Sequence, residues 1–84
     1  MNYVTIFQEN NGFGMMETLI PEHLEWHLRD LKKEINPDYM KTLEVTSDQR
    51  TIIHHAVIEA NRRKITQPSE LEAMLKKQDP TLKL

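Results

Sequence analysis

Cysteine is absent from this chain of 84 residues. With it go a disulfide framework, a thiolate nucleophile and a cysteine-type zinc site. Glycine is nearly absent too, with two residues, Gly12 and Gly14. The Gly12-Phe13-Gly14 spacing lacks the third glycine and the lysine of a phosphate-binding loop, and a strand-like run follows it instead of a helix. Serine is equally scarce. Ser47 and Ser69 both stand where a helix would start, so they read as caps and not as nucleophiles. No apolar run approaches the roughly 20 residues that span a bilayer. The opening MNYVTIFQEN has no basic stretch followed by an apolar one, so the reading is a cytoplasmic protein without a secretory signal. Net charge is only −2, which argues against a dedicated nucleic-acid binder.

What is present suits one small globular domain. Hydrophobic residues make up 38% and charged residues 29% of the chain, a balance outside the disordered range. A chain this short buries only about 60–65% of its unfolded surface, so self-association or a partner would help it. The charge is uneven, at −4 over residues 1–45 and +2 over 46–84. An asymmetry of that size can orient a partner or a second copy.

The expected fold is α+β, an N-terminal β-hairpin packed on three to four short helices. Tyr3-Val4-Thr5-Ile6-Phe7 and Met15-Met16-Glu17-Thr18-Leu19 flank Asn11-Gly12, so the hairpin is placed over 2–19 with the turn at Asn11-Gly12. Pro21 opens a helix over 21–35, where Leu24, Leu28, Leu31 and Ile35 form one stripe. Asn36-Pro37 ends it. Residues 38–44 are assigned to a short helix burying Tyr39, Met40 and Leu43, although Thr42 to Val45 also alternate like a strand. The helix over 47–63 is the spine of the chain. Thr46-x-x-Gln49 fits a capping box, and Ile52, Ile53, Ala56, Val57 and Ala60 share one arc. A last helix covers 68–78, and residues 79–84 are a tail.

Three functions follow from the leftover residues. Trp26 lies ~200° from Leu24 on the helical wheel, away from the leucine stripe, and Ile58 sits between His54 and Arg62 on the far side of the central helix. Large apolar residues on polar faces mark docking surfaces. The leading expectation is therefore a small regulatory or accessory protein acting by protein–protein contact through Trp26, His54, Ile58 and Arg62, with a homodimer as one form. The alternative is a nucleic-acid-binding regulator using Arg50, Arg62, Arg63 and Lys64. Against it, the following helix starts Ser69-Glu70-Leu71-Glu72, whose carboxylates repel phosphates. The third is metal binding or metal-dependent catalysis through His23 and His27, four residues apart on one helix face. Two imidazoles need a third ligand. His54 and His55 diverge by ~100°, and only Glu59 is placed to orient a histidine base, so the sequence leans away from an enzyme and implies no cofactor.

Overall fold

The computed structural model describes residues 2–84. β-Branched and aromatic residues favour extended backbone, and Asn2–Glu9 form β1, paired antiparallel with β2, Gly12–Thr18. The register runs from Tyr3↔Thr18 to Glu9↔Gly12. The turn is therefore Asn10-Asn11 and not Asn11-Gly12, and neither asparagine takes a positive φ. Gly12 belongs to the strand because its missing side chain serves another purpose. A Cβ there would collide with Oδ1 of Asn61. At Gly14 a Cβ would stand 2.5 Å from Cζ of Phe7, whose ring covers that glycine from β1.

The assignment of residues 38–44 to a helix is corrected. Met40–Val45 form β3, antiparallel to β1 from Asn2↔Val45 to Phe7↔Met40. A helix of two turns is marginal by itself, whereas a third strand gives the hairpin the support that a lone hairpin lacks. The alternation then sorts the side chains. Leu43 and Val45 are buried and Glu44 is exposed. A hydroxyl–hydroxyl bond of 2.9 Å joins Thr5 to Thr42 across the strands. The sheet order is β2-β1-β3, with β1 in the centre.

Helices cover both faces. Pro21–His23 make one 3₁₀ turn leading into α1, Leu24–Glu34. His27 Nδ1 shares a 2.8 Å hydrogen bond with the buried hydroxyl of Thr18, which fixes α1 over the Thr5, Phe7 and Thr18 face. Of its leucine stripe only Leu31 is fully buried, and Ile35 is 43% exposed. The opposite face carries α2, Ser47–Arg62, and α3, Pro68–Gln78. Both bonds of the expected capping box are made, Gln49 N–H to Thr46 Oγ1 at 3.2 Å and Thr46 N–H to Gln49 Oε1 at 3.0 Å.

Val4, Ile6, Phe13, Leu43 and Val45 from the sheet meet Ile53, Ala56, Val57, Ala60, Leu71 and Leu75 in one core. The helices run antiparallel, because Gln49 in the first turn of α2 bonds Asp79 just past the end of α3. That pairing differs from the steeper crossing of a helix-turn-helix. α3 is tied to the sheet by Tyr39, which donates to Glu72 at 2.6 Å while Lys41 lies 3.5 Å from the same carboxylate. Residues 79–84 are not a free tail, since Leu82 is 5% exposed and joins the core.

Candidate functional site

β2 is an edge strand, and its outer side sets the geometry of the most distinctive surface. Asn61, in the last turn of α2, accepts from Phe13 N–H and donates to Phe13 C=O, both at 2.8 Å. The backbone groups of Phe13 therefore point away from β1. By the two-residue period of a strand those of Met15 and Glu17 point the same way. No other group among the described residues bonds to them. Beyond this edge lies a groove of about 370 Å³ between β2 and α2, with Met15, Glu17, Arg50, His54, Val57 and Ile58 in its walls.

One ion pair joins the two walls of the groove. Arg50 Nη1 donates to Glu17 Oε1 at 2.7 Å, joining the first turns of α2 to the end of β2. Both side chains remain about one-third exposed, at 37% and 30%, so the pair contributes under about 1 kcal/mol to stability. Its more useful effect is local. It neutralises the charge nearest the open strand edge.

The residues singled out from the sequence fall into two groups. His54, Ile58 and Arg62 lie along the outer side of α2, with Ile58 47% exposed. Trp26 is 58% exposed on α1, across the sheet from them, and its ring stacks on His23 with centroids 5.1 Å apart. Trp26 and Ile58 do not cover one another. Leu19 and Ile20, which continue the chain directly from β2, are 63% and 50% exposed, so the apolar surface extends along the end of that strand.

The four cations of the nucleic-acid alternative do not form one face. Arg50 is bound to Glu17, while Arg62 and Arg63 both reach Glu59, at 3.6 and 3.1 Å. Lys64 holds the helix C-terminus in left-handed backbone with φ 59°. Arg50 and Arg62 stand twelve residues apart on α2, about 18 Å along the axis.

The metal reading meets a similar separation. His23 and His27 have ring centroids 6.2 Å apart, and one nitrogen of His27 is taken by Thr18. His54 and His55 lie on α2, across the sheet from α1. Among the described residues no three His, Cys, Asp or Glu side chains come together as a ligand set. No helix among them is long and apolar enough to cross a membrane.

Asn61, Met15 and Met16 were missed from the sequence. Asn61 reads as one more polar residue on a helix, and its partner is 48 positions away. The available signal was Gly12, a glycine inside a strand pattern, which marks a close approach by another group. No protein-family profile matches the chain, and neither a curated protein nor a solved structure matches it.

Proposed function

We propose that the chain is a small regulatory or accessory module that works by protein–protein contact, docking through the groove between β2 and α2. The observation that carries this reading is the coincidence of an open strand edge at Met15 and Glu17 with exposed Ile58, Leu19 and Ile20 beside it. Unpaired strand edges are usually blunted with charge, proline or a cover. Here only Phe13 is covered, and the one nearby carboxylate is neutralised by Arg50. A partner gains backbone hydrogen bonds from the edge and apolar burial from α2, the two components of strand-addition recognition.

The test is site-specific photo-crosslinking in the native host. A photoreactive residue at His54 should give one discrete adduct, lost when Ile58→Lys is added, whereas the same probe at Ala73, exposed on α3, should give none. Equal labelling from both positions, or none from His54, sinks the proposal.

A further inference from the structure

We infer that the open edge of β2 pairs with the same edge of a second copy of this chain, antiparallel about a two-fold axis at Met16. This rests on the docking groove proposed above and names its occupant.

The geometry of the edge selects the register. Asn61 closes the outward groups of Phe13, and β2 ends at Thr18. The outward groups left are the N–H and C=O of Met15 and of Glu17. In an antiparallel pair, two residues directly opposite exchange both of their bonds. Setting Met15 against Glu17 of the second copy, and Glu17 against its Met15, satisfies all four groups on each strand. Met16 then faces its own counterpart across the axis. A register shifted by two residues would bring Phe13 into the ladder, where Asn61 already sits.

Electrostatics and energetics favour the same arrangement. Like charges directly opposite one another on a sheet are destabilising. Here Glu17 faces Met15, and its own carboxylate is held by Arg50 at 2.7 Å. Four backbone bonds contribute little against the entropy lost on association, so an isolated peptide strand would be held poorly. A folded second copy also brings apolar surface of its own. α2 lies along β2, with Arg50 in its first turns on Glu17 and Asn61 in its last turn on Phe13, so it flanks the open edge. The two-fold places both α2 helices side by side and antiparallel, with Ile58 and His54 on their facing sides. Each copy thereby covers a side chain that is 47% exposed alone. On the β3 side of the sheet, Thr81, Leu82 and Lys83 share the walls of a separate groove with the Thr42–Thr46 stretch.

The natural absence of cysteine makes a direct test possible. Cα atoms of non-hydrogen-bonded antiparallel partners lie close enough for a disulfide. Met16→Cys should therefore oxidise to a covalent dimer about tenfold faster than Ala73→Cys, because only the first places two thiols at the axis. Sedimentation of the unmodified chain from micromolar to several hundred micromolar should show dimer. Met16→Lys and Ile58→Lys should each shift it to monomer with the circular dichroism spectrum kept. A strict monomer over that range, or equal oxidation rates for the two cysteine variants, overturns the inference. If the His54 photoprobe still gives its adduct with a different protein, the docking groove stands and only the second copy falls. If the probe gives nothing as well, both fall.

Discussion

The carboxamide of Asn61 does for Phe13 what a neighbouring strand would do. It accepts from the N–H and donates to the C=O, each at 2.8 Å, and it approaches over Gly12 so closely that a Cβ there would collide with it. Asn61→Ala should lower stability by about 1–3 kcal/mol, since two partly buried backbone groups lose their partners. Gly12→Ala should also cost about 1–3 kcal/mol from overpacking. In the Asn61→Ala background it should cost less, with a coupling of about 0.5–3 kcal/mol. Urea unfolding of the four proteins measures the cycle, and additive losses would show that Gly12 is not reserved for Asn61.

α2 ends in a left-handed residue that is not glycine. Lys64 has φ 59°, with its N–H bonded to Asn61 C=O at 3.1 Å and Ile65 N–H bonded to Ala60 C=O at 2.9 Å. This is the paired bonding of a Schellman ending, where glycine avoids the Cβ clash of left-handed backbone. Lys64→Gly should raise stability by about 0.5–1 kcal/mol, the clash relieved minus the added freedom of the unfolded chain. Lys64→Ala keeps the Cβ and should give no comparable gain. Thermal unfolding compares the two, and equal midpoints would remove backbone strain as the explanation.

Features decided within a few residues were legible in the sequence. The capping box at Thr46 and Gln49 follows from local spacing alone, as does the arc of Ile52, Ile53, Ala56, Val57 and Ala60, of which all but the half-buried Ile52 are buried. β3 was not legible in the same way. Thr42 to Val45 suits a helix or a strand, and the choice is made by the free edge of β1, some 37 residues upstream at Thr5. The turn was misplaced for a related reason, as Gly12 answers to Asn61 and not to turn chemistry. For the site, the helical wheel isolated His54, Ile58 and Arg62 as an edge without a role. It could not show that the edge borders the open side of β2, because that depends on how α2 lies on the sheet.

The Tyr39–Glu72 pair should shape stability at alkaline pH. Burial, then the hydrogen bond to Glu72 and the charge of that carboxylate, push the Tyr39 phenol above its ordinary value. A folded-state pKa raised above the unfolded one gives stability that is complete below the unfolded value of about 10 and is lost as pH rises past it. Tyr39→Phe should cost about 1–3 kcal/mol near neutrality, as the Glu72 carboxylate loses its donor. Above about pH 10 that difference should shrink, because only the tyrosine protein is still losing stability through this group. Urea midpoints for both proteins from pH 8 to 11 give the comparison, and a constant difference would count against the coupling.

The stretch after α3 folds back into the core. Leu82 is 5% exposed and packs in the cluster that holds Leu43 and Leu75. Asp79 bends the chain toward that position. One carboxylate oxygen accepts from the Thr81 hydroxyl and N–H, and the other from Gln49 at 3.3 Å. Those bonds, the Thr81 hydroxyl first, hold the Asp79 carboxyl below its ordinary value. A depressed carboxyl pKa gives stability present above the unfolded value of about 3.9 and lost as pH falls through the folded one. Leu82→Ala should therefore cost about 2–5 kcal/mol at neutral pH. Asp79→Asn should flatten the acid limb of the stability profile, since the remaining amide no longer titrates. Chemical unfolding of the three proteins between pH 2 and 7 separates the two effects. A Leu82→Ala loss under about 0.5 kcal/mol, the range of an ordinary surface change, would place Leu82 outside the core.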